Sequence, residues 1–143
     1  MATRSTIAIQ LENSTIKQVY CHWDGYLSNN GKILVNHYKD SAKVIELINQ
    51  GSISILDKNI NPSENSKHDF NNKETDVCVF YCRDREEQLD IEEFKDFEDY
   101  INNANFEEFN YIFKNNEWYY SEDNNNTFEK VIDNTFEKVI DNL

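Results

Sequence analysis

One short alternation near the start constrains the fold more than anything else in the chain. In "TRSTIAIQLENSTIKQVYCHW", Ile7, Ile9 and Leu11 recur at every second position. A polar break follows at Glu12, Asn13, Ser14 and Thr15, and residues 16–23 are then rich in β-branched and aromatic side chains. Period two puts one set of side chains on one face of an extended strand, so two such runs around a polar break predict a β-hairpin.

The hairpin leads into "YCHWDGY". Asp24-Gly25 is a turn pair, because glycine accepts positive φ and aspartate bonds its own backbone. Trp23 and Tyr26 are expected to close the core over that corner. Helical spacing then runs through Ile33, Leu34, His37 and Tyr38. A clearer helix follows, with Ser41 as N-cap, Val44, Ile45 and Ile48 on one face, and Gly51 placed for the C-terminal cap. "SISIL" predicts a short strand. Residues 57–76 hold the one proline and few apolar groups, which predicts a mobile loop. "VCVFYCR" is apolar on both faces and reads as a central strand. Phe94, Phe97, Ile101 and Ala104 form a helical stripe through "EEFKDFEDYINNA", and "FNYIFKNNEWYY" predicts a second hairpin turning at Asn115-Asn116.

The tail repeats itself, with "TFEKVIDN" at 127–134 and again at 135–142. An eight-residue period turns an apolar stripe by roughly 80° per copy, which widens a helical face instead of building a coiled-coil seam. The expectation is an α+β protein with a small mixed or antiparallel sheet, two hairpins plus a central strand, packed against two to four helices. Residues 1–126 would form one domain and residues 127–143 a C-terminal amphipathic helix. The 143 residues suit a single core, and nine Phe, eight Tyr and two Trp make that core aromatic.

Charge is distributed unevenly. The net charge of −13 divides into +1 for residues 1–50, −1 for 51–83, −7 for 84–100 and −6 for 101–143. An acidic second half repels nucleic acid and membrane phosphates and attracts a basic surface. No run of about eighteen apolar residues is present, which predicts a soluble, cytoplasmic protein without a membrane association. Three cysteines without a secretion signal are expected to stay reduced.

Chemical motifs are sparse. Cys78 and Cys82 on one extended strand would lie roughly 13 Å apart, too far to share an ion, so no metal site and no cofactor is implied. His22 and Asp24 are close enough on a strand end for a carboxylate to orient an imidazole, but no nucleophile motif or glycine-rich phosphate loop accompanies them. The segment "DREEQLDIEEFKDFEDY", residues 84–100, offers nine carboxylates. Held on a scaffold, such carboxylates can imitate a row of phosphates. Glu86, Glu87, Asp90, Glu92, Glu93, Asp96 and Asp99 are the candidate partner-binding residues, and no catalytic residue is assigned.

The stretches "MATRSTIAI", "KQVYCHWDGYLSNNGKIL", "FYCRDR" and "NYIFKNNEWYY" resemble a family of small proteins carried by bacteriophages and prophages, across most of residues 1–50 and scattered pieces through about 120. Small acidic phage proteins of this kind look like inhibitors of host defence, including anti-CRISPR proteins. The resemblance implies action in the host cytoplasm against a host nuclease or ribonucleoprotein, most concretely an RNA-guided nuclease, with its RNA or DNA handling blocked through a basic surface. Two other readings remain: a small phage hydrolase or nuclease using the His22/Asp24 corner, and a structural protein that self-associates through the tail arc of Phe128, Val131, Ile132, Phe136, Val139, Ile140 and Leu143. The oligomeric state stays open.

Overall fold

The computed structural model describes residues 2–122 and 137–143. It is an α+β fold built on one mixed sheet. The predicted N-terminal hairpin is present: β1 (Ser5–Gln10) pairs antiparallel with β2 (Ile16–Cys21), from Ser5 opposite Cys21 to Gln10 opposite Ile16. The second hairpin is β6 (Phe109–Lys114) with β7 (Glu117–Glu122), and it turns through Asn115 and Asn116 at φ 53° and 61°. Asparagine tolerates that left-handed conformation better than most residues, and two such residues in succession match the twist of the strands they join.

Parallel pairing of β1 with β6 unites the hairpins, which makes β1 the sheet's central strand. On the outer side of β2, two short strands share one edge. β3 (Ile53–Ile55) runs parallel at Cys21, and β5 (Glu92–Phe94) runs antiparallel at Ile16 to Gln18. β4 (Val79–Phe80) completes that end beyond β3.

Helices cover both faces. α1 (Lys32–His37), entered through a wide π-type turn at Leu27–Gly31, and α2 (Ser41–Ile48) lie on one side. Their Leu34, Val44, Leu47 and Ile48 bury against Ile7, Ile9, Val19, Tyr111 and Phe113. On the other side α4 (Phe97–Asn103) sets Tyr100 and Ile101 against Ala8, Ile16, Phe94 and Ile112. Because β1 is buried on both faces, Thr6 on the α4 side needs a partner, and its hydroxyl donates to the Asn110 side chain at 2.8 Å.

Several expectations are corrected. The cap of α2 is Asp40, whose carboxylate accepts from the Lys43 amide, one residue before Ser41. The C-terminal cap is Asn49, and Gly51 follows two residues later at φ +83°, its amide donating to the Ile48 carbonyl. "VCVFYCR" is not a central strand. Val79 and Phe80 form a two-residue edge strand, and residues from Tyr81 on wind into α3 (Tyr81–Arg85) because Asp84 reaches back to accept from the Phe80 amide at 2.8 Å. Residues 92–104 are not one helix either: Asp96 caps α4 and leaves Glu92–Phe94 to pair with β2. Trp23 and Tyr26 do not enter the core. They are 42% and 40% exposed, and Asp24 instead of glycine takes the positive φ of 55°.

The segment 57–76 lacks regular elements, and it is fastened at several points. Ile60 is buried, Asn59 exchanges backbone bonds with Asp76 and Cys78, and Lys73 pairs with Asp57 at 2.8 Å. Of the expected tail helix, residues 127–136, with Phe128, Val131, Ile132 and Phe136, lie outside the described residues. The described part is not α-helical. β8 (Glu137–Lys138) adds to β7, Ile140–Asn142 makes a single 3-10 turn, and Val139 is buried in the main core while Ile140 and Leu143 are exposed. The edge of β7 supplies the backbone partners for this short strand. Among the described residues no helix is long and apolar enough to cross a membrane.

Candidate functional site

An open cavity of about 490 Å³ lies at the Cys21 end of β2 and is lined by Tyr20, Ser52, Tyr81 and the loop Glu87–Asp90. Strand register explains its floor. Tyr20 stands opposite Thr6, on the same face as Ala8 and Gln18, beyond the part of that face which β5 and α4 cover. Burial pushes the Tyr20 phenol above its ordinary range, and its hydroxyl is hydrogen-bonded to His22 Nδ1 at 2.6 Å. His22 in turn meets the edge of Trp23, with ring centroids 4.7 Å apart. Three rings joined by two contacts thus run from the cavity floor to an exposed indole.

The far wall is set by α3. Tyr81 sits at its first turn, and the Glu87 amide donates back to the Tyr81 carbonyl, which folds the loop 86–90 over the cavity rim. Gly51 lets that loop come close: a Cβ there would stand 2.8 Å from Leu89 Cδ1 and 3.3 Å from the Asp90 amide nitrogen. Leu89 itself is 51% exposed.

The seven candidate carboxylates do not form one row. Glu86, Glu87 and Asp90 lie on the exposed rim, with Glu86 in the left-handed conformation that ends α3 and Glu87 paired with Arg85 at 3.2 Å. Glu92 and Glu93 are on β5, where Glu92 accepts from Gln18 and Asn105, and Glu93 stands opposite Lys17. Asp96 and Asp99 are committed to α4: Asp96 accepts from the Asp99 amide, and Asp99 accepts from the Lys95 amide and the Asn103 side chain. Those hydrogen bonds hold the Asp99 carboxyl below its ordinary range. The rim carboxylates and exposed Glu93 are therefore the ones available to a partner, and the two α4 aspartates serve the fold.

His22 and Asp24 do not act as a pair here, since the imidazole partner is Tyr20. Cys21 is inert as a nucleophile: complete burial pushes its thiol up to about 12 against the hydrogen bonds it receives from Asn30 and Ser5. Among the described residues no group of three His, Cys, Asp or Glu side chains is placed to hold a metal ion. Neither Tyr81 nor Leu89 was a candidate from sequence. The one available signal was an apolar residue, Leu89, set within a run of carboxylates, which a fully solvated charge run would not need. Comparison with protein-family models, with characterised proteins and with solved structures gives no match.

Proposed function

We propose that this protein is a stoichiometric binder that docks a basic partner surface onto the corner formed by Trp23, the Tyr20–Tyr81 cavity and the carboxylates Glu86, Glu87 and Asp90. The observation that carries this reading is the exposure of Trp23, at 42%, joined through His22 and Tyr20 to a cavity whose rim is the acidic loop. Large aromatics flanked by polar groups have the anatomy of an interface hot spot, and carboxylates beside aromatic faces suit guanidinium and ammonium groups in particular. The resemblance to phage and prophage proteins supplies a context, and together with the acidic charge it supports one partner class: a host nucleic-acid-targeting defence complex, with an RNA-guided nuclease foremost. The protein would block its RNA or DNA handling by occupying a cationic groove.

A cleavage assay with a purified RNA-guided nuclease tests it. The wild-type chain should inhibit with a titration endpoint, and increasing salt should weaken the inhibition. The variant Glu86→Lys/Glu87→Lys/Asp90→Lys/Glu93→Lys should lose inhibition with its circular dichroism unchanged. Full inhibition by that variant would reject the reading. The hydrogen bond between Tyr20 and His22 beside an open cavity favours one rival, an acid–base enzyme, and His22→Ala separates the two: a catalyst loses turnover, whereas a stoichiometric binder keeps its endpoint.

A further inference from the structure

The tail presents one slot and two identical segments able to fill it. In the structure residues 137–142, from the second copy of "TFEKVIDN", are seated. Lys138 and Glu137 pair with Tyr119 and Tyr120 on β7, the Val139 amide donates to the Trp118 carbonyl at 3.0 Å, and the Val139 side chain is fully buried. Lys138 reaches Glu117 at 3.1 Å, and Asn142 closes the turn by donating to the Lys138 carbonyl at 2.7 Å. Beside it Val35, Phe113, Trp118 and Ile140 line a groove of about 330 Å³. Every tail residue in these contacts belongs to residues 135–142 and has an identical counterpart eight positions earlier: Glu129 for Glu137, Lys130 for Lys138, Val131 for Val139, Ile132 for Ile140 and Asn134 for Asn142.

We propose that the slot on the free edge of β7 is a docking site for which the two copies compete, so that the first copy, residues 127–134, seats Val131 where Val139 now lies. Identical side chains make identical contacts, so the two arrangements differ only in what flanks the repeat. Downstream, Leu143 would be replaced by Thr135, a small change because Leu143 is 55% exposed. Upstream, the connection from the end of β7 at Glu122 to the docked pair shrinks from fourteen residues (123–136) to six (123–128). Closure entropy grows with the logarithm of length, so the shorter connection is favoured by a factor of about three to four and chain entropy leans toward the first copy. A six-residue connection is enough for an antiparallel return. Exchange between the two would alternately present the tail from residue 135 onward and draw it in.

Thermal unfolding of Val131→Asp, Val139→Asp and the double variant tests the competition. A charged side chain in the slot is excluded with its copy, so each single variant should unfold within about 2 °C of the parent while the double variant falls by about 5 °C or more. A second variant, deletion of residues 135–142, ends in the same "TFEKVIDNL" as the parent. It should retain both the parent unfolding temperature and the NMR position of the Trp118 indole N–H, which donates to the Tyr38 carbonyl. The proposal is overturned if Val139→Asp alone falls as far as the double variant, if the double variant is as stable as the parent, or if the deletion variant unfolds several degrees lower.

Discussion

His68 Nε2 stands 3.5 Å from Asp84 Oδ2, and the two side chains are 1% and 7% exposed. The Glu74 amide donates to His68 Nδ1, which leaves the ring proton on Nε2, facing the carboxylate. This pair ties the irregular segment 57–76 to α3. Asp84 also accepts from Arg83 Nε and Nη2 and from the Phe80 amide, and Arg83 extends the knot to the Ile60 and Cys78 carbonyls.

Asp84→Ala removes the acceptor for a guanidinium, an imidazole and a backbone amide at once. We expect a loss of about 3–5 kcal/mol in urea unfolding, the range for breaking one side of a buried charged pair. Burial alone would raise the Asp84 carboxyl, but Arg83, the Phe80 amide and His68 outweigh it and hold the carboxyl below its ordinary 3.8. A depressed folded-state value stabilises above the unfolded value and is lost as pH falls through the folded one. The wild type should therefore lose stability below about pH 4 through this group, and Asp84→Asn should flatten that part of the profile. An unchanged acid limb in Asp84→Asn would mean that other carboxylates control it.

The two tryptophans separate fold from surface. Trp118 is 5% exposed, packs against Phe113 in a tilted contact with centroids 5.1 Å apart and donates to the Tyr38 carbonyl at 2.9 Å. Trp118→Ala should cost about 3–5 kcal/mol. Trp23→Ala should stay within about 0.5 kcal/mol of the parent while abolishing inhibition in the nuclease assay. Denaturant midpoints of the two variants check the contrast, and a large loss in Trp23→Ala would show that the corner carries structure after all.

What could be read from sequence follows the range of the interactions. Both hairpins were legible because alternation and turn residues are local, whereas the C-cap of α2 fell on Asn49 and not on Gly51. β5 was not, since three residues of strand depend on β2 for pairing, far away in sequence. The misreading of "VCVFYCR" has the same origin. An apolar run is compatible with strand or helix, and the carboxylate that bends it into α3 lies just beyond its end. Aromatic identity does not say inside or outside, which is why Trp23 was assigned to the core. In the candidate site the carboxylates were visible by type, but their division into rim and helix-capping groups depended on where α4 begins.

Thiol reactivity should report burial directly. Cys21 and Cys78 are fully buried, burial raises both thiols, and Cys82 is half-exposed on α3. With its thiol near 12, only about one part in ten thousand of Cys21 is thiolate at pH 8. Iodoacetamide on the native protein should give a single adduct at Cys82 by mass spectrometry, and two more only after unfolding in guanidinium. Early modification of Cys21 would contradict the packing of Asn30 and Ser5 around it.

The Asp24-Gly25 turn makes a prediction opposite to the usual one for such a pair. Glycine is needed at the second position for space: a Cβ on Gly25 would lie 2.6 Å from Ser5 Cβ and 2.9 Å from the Thr3 carbonyl oxygen, which also accepts from the Gly25 amide at 2.8 Å. Backbone cannot swing aside as a side-chain end can, and the Gly25 carbonyl is itself held by the Tyr111 hydroxyl at 2.7 Å. Gly25→Ala should therefore cost about 1–3 kcal/mol by overpacking. Asp24 occupies the left-handed conformation at φ 55°, so Asp24→Gly relieves local strain while loosening the unfolded chain, and should fall within about 0.5 kcal/mol of the parent. Urea midpoints decide between them. A corner in which Gly25→Ala is silent and Asp24→Gly is costly would place the constraint on the aspartate side chain instead of on the close approach to β1.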